Sequence, residues 1–210
     1  MVAVEKAEMH ARRGEKVLFL CFNRNLRDSL EKRHGNKNID FMTLDSLGKK
    51  IDSKYNRDNR GSLVVRLLQM EEKGESLGYD HVVVDEGPDF VFENDGTDIL
   101  SCLQQLTVKD EIDSNHSFYV FYDEFQLVQG AKPKDLALPS FIKSADCRLT
   151  LYRNCRNTPE IAKTTLIPCG VTQRMFEGMA DYYGLKKSKP KFVLYPADTD
   201  LLMVVDNLLR

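Results

Sequence analysis

The sequence predicts an α/β fold, a mostly parallel sheet flanked by helices, on three observations. Short apolar runs recur along the chain: KVLFLCF (16–22), IDFMTL (39–44), HVVV (81–84) and SFYVFY (117–122). Runs without polar alternation are those of strands buried on both faces, as in parallel sheets. Helix-length segments separate them, the spacing of βαβ units. Several runs end abruptly on charged or amide residues, and the ends of parallel strands are where such folds collect ligands.

Composition sets the bounds. The chain has 210 residues, 42% hydrophobic and 30% charged, enough for the core of one domain and part of another. No apolar run approaches the roughly 20 residues that span a bilayer. Residues 1–15 lack the apolar core of a signal peptide, so the expected location is cytoplasmic, with no membrane partner. The five cysteines form no CxxC pair, and their odd number fits free thiols in a reducing compartment. Net charge is only -2, but residues 1–60 carry 14 Lys and Arg against 9 Asp and Glu, while residues 71–135 carry 4 against 16. One surface therefore suits a polyanion and another a cation.

Taken in order, residues 3–13 have helix-forming composition and stop at Gly14, with no Ser, Thr, Asp or Asn to cap their start. The strand at 16–22 leads into a helix, NRNLRDSLEKRHG, with Asn23 or Asn25 as cap, Leu26 and Leu30 one turn apart, and Gly35 as stop. IDFMTL is the second strand. Residues 45–78 read as helical or irregular, with SLVVRLLQM their main apolar segment. The HVVV strand follows, then a helix near DILSCLQQL (98–106), and SFYVFYD (117–123) as another strand. RLTLYRN (148–154) and FVLYP (192–196) are further strand candidates, with helices at 159–165 and 198–210. None of the four histidines (His10, His34, His81, His116) has a partner at ligand spacing, and none is assigned a function.

The strand ends share a theme. VVV ends on Asp85 and Glu86; FYVFY is followed by Asp123, Glu124 and Gln126; LTLY by Asn154 and Arg156; LFLCF by Asn23 and Arg24. A carboxylate at a strand end can hold Mg²⁺, and a neighbouring one can accept a proton from an attacking water. A Gln can orient that water, and an Arg can stabilise charge on a terminal phosphate. Together these are parts for hydrolysing a nucleoside triphosphate.

Five stretches carry a resemblance to the superfamily 1 helicases of the UvrD/Rep type. VLFLCFNRNLRDSL (17–30) resembles the family's single-stranded DNA-contacting motif, and FMTLDSLGKKI (41–51) the next one. HVVVDEGPDF (81–90) is similar to the Walker B motif, FYVFYDEFQ (118–126) to GDxxQ, and LTLYRNCRNTPEI (149–161) to the NYR motif. The resemblance spans roughly residues 3–165 and implies a P-loop NTPase (RecA-like) core, with ATP and Mg²⁺ as cofactors and single-stranded DNA, or RNA, as partner. Asp85 is then the Mg²⁺ ligand and Glu86 the water-activating base. Asp123, Gln126 and Arg156 join the nucleotide site, with Gln126 and Arg156 at the γ-phosphate. Asn23, Arg24, Arg27 and Thr43 face the nucleic acid.

The sequence departs from the family's pattern at Pro88, Tyr122 and Cys155, which stand where it has Gln, Gly and Tyr. It also contains no GxxxxGK[ST] loop to cradle phosphates. The uncapped start at residue 3 leads to the expectation of a helicase motor domain 1A over residues 1–165 that lacks its first strand and phosphate loop. Residues 166–210 are then the start of a second motor domain or a connecting segment. Two other readings stay open: a degenerate helicase-like module that binds nucleic acid or protein without hydrolysis, and an unrelated receiver-like domain with Asp85 as its acidic site.

Overall fold

The computed structural model describes residues 1–90, 93–94, 97–108, 115–122, 145–147 and 149. The chain divides into two compact units, Met1–Cys147 and Arg148–Arg210, and every element described below lies in the first. The strands expected at 148–154 and 192–196, and the helices at 159–165 and 198–210, lie outside the described residues.

Helix α1 spans Val2–Arg12 and buries a stripe of small residues, Ala3, Val4, Ala7 and Ala11. Small side chains at this spacing let the helix axis approach the sheet closely. It ends on Gly14, whose φ of +85° is the left-handed geometry that favours glycine after a helix. Strand β1 is Val17–Leu20, α2 is Arg24–His34, β2 is Ile39–Met42 and α3 is Leu44–Ile51. A 3-10 turn at Arg57–Asn59 precedes α4, Gly61–Glu72. Then come β3 (His81–Val84), a short antiparallel pair β4 (Glu93–Asn94) and β5 (Thr97–Asp98), α5 (Ile99–Thr107) and β6 (Ser117–Val120). The polar stretch 45–78 thus holds two helices, both positioned by apolar residues that face the sheet.

The main sheet has the order β2-β1-β3-β6 and is parallel throughout. Its register is even: Leu20 lies opposite both Met42 and Val84, and Val84 opposite Val120. β1 and β3 are buried at every position, which is why their sequences show no polar alternation.

Two apolar layers sandwich this sheet. Leu18, Leu20, Val82 and Val84 pack with α3, α4 and α5, whereas Val17, Phe19, Val83, Ile39 and Phe41 pack with α1 and with Leu30 of α2. Topology explains the division. The chain leaves β1 for β2 in one direction through α2, and leaves β3 for β6 in the opposite direction through α5. Crossovers of one hand that run in opposite directions place their helices on opposite faces. The direction of winding therefore reverses between β1 and β3, and the carboxyl ends at such a reversal are where sheets of this kind bind ligands.

Gly35 ends α2 for a different reason than Gly14 ends α1. Its φ is -54°, an ordinary value, but a Cβ there would lie 2.5 Å from the Glu31 carbonyl oxygen. At Gly87, just past β3, a Cβ would come within 2.5 Å of Val120 Cγ1 in β6. Gly87→Ala is therefore expected to destabilise the chain by about 1–3 kcal/mol, the usual cost of overpacking. Chemical denaturation checks this, and the Gly87→Ala cost should shrink in a Val120→Ala background; an equal cost in both would remove the steric explanation.

Candidate functional site

The carboxyl edge of the sheet is aligned by main-chain bonds that continue past the strands. Cys21 N–H donates to the Met42 carbonyl at 3.0 Å, Asp85 N–H to the Leu20 carbonyl at 2.9 Å, and Phe121 N–H to the Val84 carbonyl at 2.8 Å. Cys21, Asp85 and Phe121 consequently stand at one level, immediately beyond the apolar layers. Gly87 N–H then donates to the Phe121 carbonyl at 2.9 Å, which folds the segment after β3 against the end of β6.

Asp85 and Glu86, both half-buried, sit where the winding reverses. Glu86 has φ +58°, the only positive φ at a non-glycine residue among the described residues. Strained backbone of this kind costs on the order of 1 kcal/mol and concentrates at functional positions. Immediately after it, Gly87–Phe90 form a 3-10 turn that inserts Phe90, fully buried, under the edge. Asp85 lies near the Cys21 thiol. Burial pushes that thiol up to about 12, and the Asp85 charge adds to the effect. Cys21 is thus an inert, protonated thiol, and Cys21, Cys102 and Cys147 are all free.

The other half of the edge is built from helix starts. Asn23 caps α2, its side-chain oxygen accepting from Asn25 N–H at 2.8 Å. Thr43 caps α3, its hydroxyl oxygen accepting from Ser46 N–H at 3.2 Å. The Thr43 and Ser46 hydroxyls are 3.0 Å apart, and Arg27 donates to Ser46 Oγ at 3.3 Å and to Asp28 at 2.8 Å. Arg24 is exposed in the first turn of α2. Two helix N-termini and the Arg27 guanidinium thus meet at one edge, with Arg24 on the same helix start, an arrangement that favours anions. Phe22, 38% exposed, stands beside them with its ring edge-on to Phe90 at 6.4 Å.

The structure therefore brings Asn23, Arg27 and Thr43 together at the β1/β2 side, with Arg24 on the same helix start, and sets Asp85 and Glu86 on the β1/β3 side. Asp123, Gln126 and Arg156 lie outside the described residues, as do the side chain of Pro88 and Cys155. Two participants had no separate place in the sequence reading. Ser46 links Arg27 to Thr43, and its signal was the Thr-x-x-Ser spacing of a helix start. Phe22 reads as one more apolar strand residue until the strand is seen to end at Leu20.

The reading of three of the four histidines, His10, His34 and His81, needs correction. At the opposite, amino edge of the sheet, His10 Nδ1 and His81 Nε2 both meet Glu15 Oε2, at 2.6 and 3.0 Å. Their ring centroids are 3.7 Å apart with the planes tilted by 33°, and His10 Nε2 is 3.3 Å from the Tyr119 hydroxyl. Burial and the neighbouring His10 hold the His81 imidazole below its ordinary pKa, while the hydrogen bond from His10 keeps Glu15 low. His34 also has a carboxylate partner, Glu8, at 2.8 Å. Sequence separation conceals the first group: Glu15 and His81 are 66 positions apart in the chain, and only parallel pairing of β1 with β3 brings them together.

No family model matches the chain, and neither a curated protein nor a solved structure matches it significantly. No helix among the described residues is long and apolar enough to cross a membrane. Functional reading thus rests on the edge itself.

Thr43 joins the two halves of the anionic-ligand side by capping α3 and orienting Ser46 toward Arg27. Thr43→Val keeps the shape and removes the oxygen, at an expected cost of about 1 kcal/mol, a fall in Tm of roughly 2–4 °C. Thr43→Ser should keep the wild-type Tm. Melting curves of both variants check the assignment, and a wild-type Tm in Thr43→Val with a loss confined to Thr43→Ser would place the cost in lost methyl packing instead.

Proposed function

We propose that this chain is the first motor domain of an ATP-dependent DNA helicase or translocase of the superfamily 1, UvrD/Rep type. In such a motor, hydrolysis of ATP is coupled to movement along single-stranded DNA. The fold is read more finely as a P-loop NTPase, RecA-like core without its first strand and phosphate loop. The observation that carries the proposal is the position of Asp85 and Glu86. They end a fully buried strand at the point where the sheet's winding reverses, beside an edge made of two helix N-termini, Arg24 and Arg27.

Residue roles follow from chemistry. Asp85 supplies a hard oxygen donor, the type Mg²⁺ takes when it binds through one or two carboxylates and substrate phosphates. The ion, when bound, neutralises charge on the phosphates. Glu86 accepts a proton from water at its carboxylate, and the left-handed backbone at this residue fixes the direction in which its side chain leaves the strand end. Asp123, Gln126 and Arg156 are assigned to the nucleotide on the resemblance alone. On the other side, Arg24 and Arg27 pair with the phosphates of a single strand, and the exposed ring of Phe22 offers a stacking platform for a base. RNA presents the same phosphates and bases.

A second reading keeps the strand-binding edge without hydrolysis. It is favoured by the lack of a GxxxxGK[ST] sequence in the 210 residues, because the Phe22, Arg24 and Arg27 surface needs no nucleotide. The two readings separate in a longer protein that carries such a loop ahead of residue 1. ATP turnover stimulated by single-stranded DNA and lost in Glu86→Gln supports the motor, whereas strand binding without turnover supports the binder.

Two outcomes are expected for the 210-residue chain itself. It should show no steady-state ATP turnover above a Glu86→Gln control, since no backbone cradle or Lys of a phosphate loop is present in its sequence. A phosphate-release assay decides this, and turnover abolished by Glu86→Gln would show that hydrolysis proceeds without that loop. Binding to a single-stranded oligonucleotide should weaken with salt, with a log–log slope of about -0.7 per phosphate contacted. Arg24→Ala/Arg27→Ala should make that slope shallower by about 1.4 if each arginine meets one phosphate. A slope unchanged by the double substitution removes this surface from the strand-binding path.

A further inference from the structure

At the amino edge of the sheet, opposite the site above, we infer a binding site for a divalent transition-metal ion, Zn²⁺ by donor chemistry, formed by His10, Glu15 and His81. Their ligand atoms all lie within 4.8 Å of one another. The geometry is more specific than proximity. His10 Nδ1 and His81 Nε2 both aim at one carboxylate oxygen, Glu15 Oε2, from 2.6 and 3.0 Å. Two imidazole nitrogens that converge on one point are what a tetrahedral ion requires, at roughly 2.0–2.1 Å from each. Binding contracts the nitrogens inward by less than about 1 Å and moves the carboxylate outward. Glu15 can make that movement, because its side chain is 34% exposed while those of His10 and His81 are nearly inaccessible.

The donors sit on rigid elements. His10 is in the last turn of α1, Glu15 comes three residues after that helix ends, and His81 is the first residue of β3. Two nitrogens and one carboxylate oxygen suit Zn²⁺ and its neighbours in the transition series rather than Mg²⁺ or Ca²⁺, which take oxygen donors. A fourth position is left for water on the exposed side of Glu15. His10 Nε2 faces the Tyr119 hydroxyl at 3.3 Å, the outer hydrogen bond that orients a metal-binding imidazole. The surrounding charges are mixed: Lys6 lies on the Tyr119 ring, 4.5 Å from its centroid, and Asp80 acts on His81 with the opposite sign.

Without an ion the cluster is poorly satisfied. Both histidines compete for one carboxylate oxygen, Glu15 Oε2. With Zn²⁺ held by His10 Nδ1 and His81 Nε2, each neutral imidazole carries its proton on its other nitrogen, His10 Nε2–H facing the Tyr119 hydroxyl, and the helix end, the β1 approach and β3 are clamped together. The ion is a staple at the edge of the sheet remote from Asp85.

The test uses the whole 210-residue chain, stripped with EDTA and titrated with Zn²⁺ and, separately, with Co²⁺. The expected result is one ion per chain, a Tm raised by several degrees at saturating Zn²⁺, and a Co²⁺ spectrum of nitrogen and oxygen ligands without a thiolate charge-transfer band. Glu15→Gln should abolish the stoichiometric site. Tyr119→Phe, which leaves all three ligands in place, should weaken it about 10–100-fold. Each variant's metal-free melting curve reports whether it is folded. Absence of one-to-one binding, a thiolate band, or unchanged affinity in a folded Glu15→Gln overturns the assignment.

Discussion

Strand β3 is paired on both edges and covered on both faces, and this confinement governs what the rest of the first unit can be. Val82, Val83 and Val84 are all fully buried. Burying each such side chain contributes about 1.5–3 kcal/mol, whereas a carboxylate at any of these positions would cost several kcal/mol in lost hydration. Charge can therefore appear only where the strand leaves the sheet. Asp85 and Glu86 do so at the first position that water reaches, and the even register sets the ends of β1 and β6 beside them. The abrupt change from valine to acid marks the boundary of the core.

The same topology divides the molecule chemically. Helices α2 and α3 both begin at the carboxyl edge, so their N-termini, Arg24 and Arg27 gather on the β1/β2 side, and the acidic pair is left at the reversal point. The sequence already showed this asymmetry as an excess of basic residues before residue 60 and of acidic residues after residue 71. At the amino edge, the end of α1 and the start of β3 bring two histidines onto one glutamate, away from both halves of the other edge.

Much of the fold was legible because it depends on local pattern. The buried runs, the Asn23 cap and the Gly14 stop announce β1, β3 and the ends of α1 and α2 without tertiary information. Asp85 and Glu86 were legible for the same reason, as charge after an apolar run. What escaped depends on pairing across distance. The His10, Glu15 and His81 group requires β1 and β3 to be neighbours, and Gly87 looks like a turn residue until Val120 is seen 2.5 Å from where its Cβ would be. The strained backbone at Glu86 has no sequence signal, since glutamate seldom adopts that conformation.

The central claim is that the carboxyl edge of the sheet, from β2 across β1 to β3, is the ligand-binding edge of this chain. Backbone amide NMR of the full chain, titrated with a single-stranded oligonucleotide in the presence of EDTA, tests it most directly. The account predicts that the largest shifts fall on Phe22, Asn23, Arg24, Arg27 and Ser46, with Asp85 and Glu86 perturbed less and the amides of Glu15 and His81 unmoved. Shifts centred on the amino edge, or spread evenly over the basic surface of α1 and α2, would contradict it.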